Sequence, residues 1–312
     1  MNRDFPDPHV IREGDTYYAY ATTGSGKNLQ SATSKDLVSW TLLDDPLPKL
    51  ASWSGLTPLF SETPHMATWA PAAAKIDGKF VLYYTTPALD TPRPDGVPSQ
   101  CIGVAVSDSP DGPFVDSSKA PIVCQADLGG SIDSTYFLDE NGKQYLIWKN
   151  DGNCCGTDTR FFIQELTPNG LALRGEPTDM GVDNDTTWER FVIEAPTLIR
   201  HEGTYYLFFS GNDFASAAYA VGYATSDKVT GPYTDAEENP ILKTVRNVVA
   251  GPGHQSIVTD RDGDLWMTYH AWDVKHIGYQ NGGRRAMWID ELVFEGDRAV
   301  VRGPDVGPQP IP

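Results

Sequence analysis

The chain has 312 residues, 40% hydrophobic and 11% aromatic, ample for a packed core and too apolar for a disordered chain. Its formal charge of −18 argues against nucleic acid and anionic membrane surfaces, whereas a neutral polymer such as a polysaccharide meets no repulsion. No run of about 18 apolar residues offers a membrane-spanning helix.

Met1-Asn2-Arg3-Asp4 leads straight into a first strand with no signal peptide, and from there one plan recurs five times. Each copy runs strand, tight polar turn, aromatic-rich strand. The first strands are Pro8-His9-Val10-Ile11, Pro71 to Ile76, Ser134 to Leu138, Ala195 to Ile199 and Gln255-Ser256-Ile257-Val258. Turns such as Glu13-Gly14-Asp15, Asp77-Gly78-Lys79 and His201-Glu202-Gly203 follow them, with Gly supplying the positive φ of a hairpin. The second strands begin at Tyr17, Phe80, Tyr145, Tyr205 and Trp266, at steps of 63, 65, 60 and 61 residues. A period of about 60 suits propeller blades and is too long for a solenoid coil.

Third strands are clearest at Ile102 to Val106 and Ala220 to Ala224. They lead to the matching turns Ser109-Pro110-Asp111-Gly112-Pro113-Phe114 and Lys228-Val229-Thr230-Gly231-Pro232-Tyr233, evidence of duplication. The expected fold is all-β: a five-bladed β-propeller with four-stranded antiparallel blades over residues 1–302. Residues 303–312, rich in Pro and Gly, read as a tail or as a linker to a C-terminal accessory module. The propeller itself is expected to be a monomer.

Four cysteines, Cys101, Cys124, Cys154 and Cys155, permit three pairings, and the sequence does not choose among them. At least one structural disulfide and an extracellular home are expected, with the cytoplasm as the alternative.

The first strand of each propeller blade lines the central channel. Counting back 10 to 12 residues from the second-strand markers gives Asp7, Ala70, Asp133, Glu194 and His254, with Trp69 beside Ala70 as a flat face for a sugar ring. Taken singly, each acid reads as a solvated loop residue. Three carboxylates and a histidine at one repeat position read as a shared site, where crowding raises at least one carboxyl pKa. Glycoside hydrolysis needs such a protonated carboxyl beside an ionised one. Glu194, flanked by Val192, Ile193, Ala195 and Pro196, is the candidate general acid; Asp7 is the candidate general base. Asp133 is expected to hold Glu194 and lift its pKa.

At these residues the sequence resembles glycoside hydrolase family 43, five-bladed propeller enzymes acting on arabinose- and xylose-containing glycans. The resemblance rests on Asp4-Phe5-Pro6-Asp7-Pro8-His9-Val10, Thr68-Trp69-Ala70-Pro71, Ser131-Ile132-Asp133-Ser134, Glu194-Ala195-Pro196, Gly251-Pro252-Gly253-His254-Gln255-Ser256 and Tyr269-His270-Ala271-Trp272, in order along nearly the whole chain. It implies inversion, with Asp7 as base, Glu194 as acid and Asp133 as pKa modulator. It also implies that Arg285, rather than Arg284, contacts substrate and the base region. His254 would sit on the axis, where relatives hold a structural calcium ion through histidine and water; the chemistry itself needs no cofactor. The expected partner is a plant cell-wall polysaccharide or oligosaccharide containing arabinose or xylose. An exo-acting α-L-arabinofuranosidase is the first reading, with β-xylosidase and endo-arabinanase as alternatives.

A non-catalytic sugar-binding propeller is disfavoured because the ionisable residues differ from blade to blade and converge on one axis. Retaining fructan hydrolases would carry Asn-Asp-Pro-Asn-Gly and Arg-Asp-Pro, which are absent. Trp53, Trp188, Phe214 and Trp272 are assigned to loops and are candidate sugar platforms, against packing between blades. Thr23 to Asn28 lacks the first Gly and the Ser/Thr of a phosphate loop, and Asp260-Arg261-Asp262-Gly263-Asp264 reads as a hairpin turn rather than a calcium loop. His65, His201 and His276 read as loop histidines, and Asn184-Asp185-Thr186 as a glycosylation acceptor only in a eukaryotic secretory host.

Overall fold

A computed structural model describes residues 1–56, 67–182, 184 and 188–304; His65, most of Asn184-Asp185-Thr186 and the tail beyond 304 lie outside the described residues. The strands form five antiparallel sheets in chain order. The first comprises β1 (His9–Glu13), β2 (Thr16–Ala21), β3 (Gln30–Ser34) and β4 (Trp40–Leu42). The second comprises β5 (Trp69–Ile76), β6 (Lys79–Pro92) and β7 (Pro98–Ser107); two isolated antiparallel bridges, Val106 to Val115 and Ile102 to Val123, stand where its fourth strand would lie. The third is β8 (Ser131–Leu138), β9 (Gln144–Asn150), β10 (Phe161–Leu166) and β11 (Leu173–Asp179). The fourth is β12 (Ile193–His201), β13 (Thr204–Gly211), β14 (Ala220–Ser226) and β15 (Thr234–Asp235). The fifth is β16 (Ala250–Thr259), β17 (Leu265–Trp272), β18 (Arg285–Glu295) and β19 (Arg298–Val301). This is the five-bladed propeller expected from the repeat.

The blades hold together because each strand offers one apolar face to each neighbour. One large cluster fills every junction: Tyr20 with Phe80, Val81 with Trp148, Phe161 with Phe209, Phe208 with Tyr269, and Val10 with Trp266. The last junction closes the ring between the first and fifth blades. There the N-terminal segment lies against β18: Met1 donates its ammonium to the Met287 carbonyl at 2.6 Å and Phe5 N–H to the Arg285 carbonyl at 2.9 Å, with the Phe5 ring fully buried.

At the channel mouth each inner strand begins with a kink. The ladder skips between Trp69 and Ala72, Ile132 and Thr135, Glu194 and Thr197, and Gly253 and Ser256. Inside each skip one non-glycine residue has positive φ: Ala70 (41°), Asp133 (54°), Ala195 (57°) and His254 (51°), with Asp7 (56°) matching them before β1. The spacing expectation put Glu194 in this set. The ladder corrects it: Ala195 holds the equivalent position, and Glu194 is level with Trp69, Ile132 and Gly253. The offset arises because the second-strand marker lies 11 residues after Glu194 but 10 or 12 after its supposed equivalents, a slack that hides a shift of one.

Phe5→Ala should cost about 3–5 kcal/mol, the loss for truncating a fully buried phenyl ring, read as a lowered urea midpoint. Truncating the exposed Leu138 should change it little.

Candidate active site

Positive φ costs a residue with a Cβ on the order of 1 kcal/mol or more, so something must hold it. In four of the blades that holder is a side chain from the preceding blade. Thr22 Oγ1 accepts from Ala70 N at 3.0 Å, Asp133 Oδ2 from Ala195 N at 3.1 Å, Ser210 Oγ from His254 N at 2.8 Å, and His270 Nδ1 from Asp7 N at 3.2 Å. The kinks turn the Asp7, Asp133 and His254 side chains, with Glu194 one residue earlier, toward one mouth of the channel.

Asp7 is nearly enclosed. Its Oδ1 lies 2.8 Å from Arg285 Nη1, 3.2 Å from His270 Nδ1 and 3.3 Å from His254 Nδ1, and its Oδ2 accepts from the Thr22 hydroxyl at 2.5 Å. Burial alone would raise its pKa; the Arg285 charge, then His254 and His270, outweigh it and hold the carboxyl well below the usual range. Burial pulls His270 down to about 4, so it stands neutral. Arg285 is itself clamped, with its guanidinium 4.8 Å from the Phe214 ring centre and 5.5 Å from that of Tyr279, whose hydroxyl accepts from Nε at 3.0 Å. Arg284, by contrast, points to Asn2 at the surface.

Glu194 sits in the fourth blade, with the fifth between it and Asp7. Tyr219 donates its hydroxyl to Oε1 at 2.6 Å, and Lys149 Nζ approaches Oε2 at 3.3 Å. The expectation that apolar flanks raise its pKa is corrected. Burial does push it up, but Lys149, His254 and the Tyr219 hydroxyl together push it lower. The flanking residues are neighbours along the chain; the carboxyl extends away from them to a cation and a donor. Asp133 takes the opposite shift, raised by burial and by the Glu194 charge against the pull of His254 and Lys149. The two acids therefore shift in opposite directions, Glu194 down and Asp133 up.

The remaining residues fall into two groups. Ala70 lines the channel and Trp69 is half-buried beside it. Phe214, half-buried, has Arg285 over its ring. Trp272, expected in a loop, ends β17 fully buried and donates Nε1–H to the Phe214 carbonyl at 2.7 Å. Trp53 stacks on Tyr84 and Trp188 on Phe209, so both pack between blades instead of facing a sugar. Asp260 accepts three backbone N–H bonds and the Trp266 indole, which makes its loop a hairpin cap. His201 stacks on Phe294 with centroids 3.8 Å apart. Among the described residues no three His, Cys, Asp or Glu side chains converge as a metal set. His254 directs Nδ1 to Asp7, and an axial calcium ion, which prefers six to eight oxygens, would need nearly all its ligands from water.

Sequence reasoning missed Thr22, Lys149, Tyr219, His270 and Tyr279 as site residues. A signal existed for three of them. Four or five residues after each marker comes a polar side chain in an otherwise apolar run: Thr22, Thr85, Lys149, Ser210 and His270. Four of these five touch a residue of the mouth.

Residues 1–298 match the model of glycosyl hydrolases family 43. The chain belongs to this family. It is 28% identical to extracellular endo-α-(1→5)-L-arabinanase 2 of Bacillus subtilis strain 168, over 91% of this chain and 61% of that protein. It is 30% identical to a β-xylosidase of the same strain, over 85% of this chain and 47% of that protein. The chain thus spans about half to three-fifths of the length of these two relatives. Among solved structures, a thermostable family-43 glycoside hydrolase superposes with a TM-score of 0.82 at 30% identity, covering 99% of this chain and 96% of that one. The family motifs fall on residues around the channel mouth.

The Asp7 carboxylate, held low by Arg285, adds stability above the ordinary Asp range near pH ~4 and loses it as the pH falls through the lowered value. Asp7→Asn strands the buried guanidinium and should cost about 3 kcal/mol at pH 7. Urea denaturation should show that gap closing toward pH 2, while a constant gap would contradict the assignment.

Proposed function

We propose that this family 43 protein is an inverting, exo-acting α-L-arabinofuranosidase that releases L-arabinofuranosyl units from arabinan or arabinoxylan fragments. The observation that carries the hydrolytic part is the unequal treatment of carboxyls around one mouth: Asp7 paired with Arg285 and held well below its usual range, Glu194 lowered beside Lys149, and Asp133 raised by burial. Asp7 takes a proton from water as the water attacks the anomeric carbon. Glu194 gives a proton to the departing glycosidic oxygen, so the bond to that oxygen breaks as the new C–O bond forms. The glycosidic oxygen accepts from the acid's O–H, and this favours the protonated form of Glu194 once sugar fills the mouth. Asp133 orients the acid through Ala195 N–H.

Exo action is supported by the second blade. Trp69 pairs with Thr85, yet β6 continues to Pro92 and returns as β7 from Pro98. Seven further residues at about 3.3 Å each extend this hairpin roughly 20 Å beyond the level of Trp69, a length sufficient to close one end of a groove. Arabinan as substrate is supported by the arabinanase relative and by the absence of a charge penalty for a neutral glycan. The cysteine pairs Cys101–Cys124 and Cys154–Cys155 favour an oxidising, extracellular setting.

Aryl α-L-arabinofuranoside and β-D-xylopyranoside, with linear arabinan alongside, test the reading. The expected result is cleavage of the arabinofuranoside and free arabinose from arabinan. Xylose release would assign a β-xylosidase, arabinan oligomers an endo-arabinanase, and no product from any of them a binding protein. Glu194→Ala should lower kcat on arabinan by about 10²–10⁴-fold and much less on aryl glycosides with good leaving groups; equal losses would remove Glu194 from the acid role.

A further inference from the structure

Lys149, on β9, approaches Glu194 with a side chain that has no solvent exposure. Enclosing an ammonium costs several kcal/mol unless it is paired and hydrogen-bonded. Its partners are few: Glu194 Oε2 at 3.3 Å and Asn153 Oδ1 at 2.8 Å. Asn153 belongs to the short 3-10 turn Gly152–Cys155, which follows β9 directly. The turn is pinned: Thr157 N–H donates to the Gly152 carbonyl at 3.0 Å, and the adjacent cysteines of the turn are bonded to each other. At the equivalent position one blade on stands Ser210, which carries no charge.

On the assumption that Glu194 is the acid of the proposed reaction, we infer that Lys149 is its positioning residue, fixing the carboxyl in the mouth and stabilising the carboxylate left after proton donation. The ammonium therefore makes Glu194 a stronger acid and sets the pH above which hydrolysis fails. Asn153 aims the ammonium. The other charged and titratable groups around Glu194 do not substitute for it. Tyr219, ahead of β14, donates a neutral hydroxyl to the other oxygen; Asp133 on β8 and Asp7 before β1 are acids; His254 on β16 is directed to Asp7. Asp151, just past β9, is pushed up to about 7 by burial, with Lys149 and Arg93 pulling the other way, and adds no positive charge.

The test compares Lys149→Met, Lys149→Arg and Asn153→Ala with the parent protein. The readouts are pH–rate profiles on aryl glycosides of good and poor leaving groups, and ¹³C NMR titration of the Glu194 carboxyl, assigned with Glu194→Gln. Methionine keeps the volume and removes the charge. In Lys149→Met the basic limb and the Glu194 midpoint should rise by about one pH unit or more. The kcat for poor leaving groups should fall at least tenfold while good ones change little. Lys149→Arg should keep the parent midpoint within a few tenths, and Asn153→Ala should fall between. A Lys149→Met protein that is folded and slower, but with limb and midpoint unmoved, would reduce Lys149 to packing and overturn the inference. If the parent protein cleaves no glycoside, the proposed function fails, and the NMR titration still decides the role of Lys149.

Discussion

The channel mouth depends on the capture, in four of the five blades, of one backbone N–H by a side chain of the blade before it. Asp7, Ala70, Ala195 and His254 adopt a left-handed conformation that their Cβ atoms disfavour, and Thr22, Asp133, Ser210 and His270 hold them there. Each capture couples neighbouring blades at the level where the functional side chains emerge. Asp133 does this with the same carboxyl whose pKa burial and the Glu194 charge raise. Structural and chemical duties are therefore joined in one group, and a change there moves both.

The electrostatics follow from that ring of contacts. Two carboxylates are each supplied with a cation from another blade: Asp7 in the first blade with Arg285 from the fifth, and Glu194 in the fourth with Lys149 from the third. Asp133 receives none of its own, so burial and its neighbour's charge raise its pKa. Three acids in one mouth thus differ by what faces them and not by their own residue type. Arg285 suits its role because its planar guanidinium pairs with Asp7 while lying between two aromatic rings; an ammonium has no comparable face.

The repeat was legible because hairpin turns and aromatic second strands recur at nearly constant spacing, and spacing survives where residue identity does not. Asp7, Asp133 and His254 were legible for the same reason. Glu194 was found, but its register was not, because a bulge shifts the inner strand by one residue without changing the composition on either side. Lys149 and Tyr219 were missed because the chemistry was sought on inner strands alone. Both reach Glu194 from other segments, one from β9 and one from just before β14. For Trp53, Trp188 and Trp272 the sequence left platform and packing both open, because a loop assignment says nothing about which blade a ring packs against; the structure packs all three.

Arg285 shows why a closed ring matters for such chemistry. Its backbone N–H goes to Asp4 at 2.8 Å, its carbonyl takes the Phe5 N–H at 2.9 Å, and its guanidinium reaches Asp7 at 2.8 Å. Three contacts to the N-terminal segment from one residue of β18 mean that the first and fifth blades cannot separate without freeing Asp7. An open ring would leave Asp7 without its guanidinium partner, where burial alone drives a carboxyl toward the protonated state. The ionised form of Asp7 is in this sense a property of the closed propeller, and the last strands of the chain must be in place before Asp7 meets the cation that holds it so.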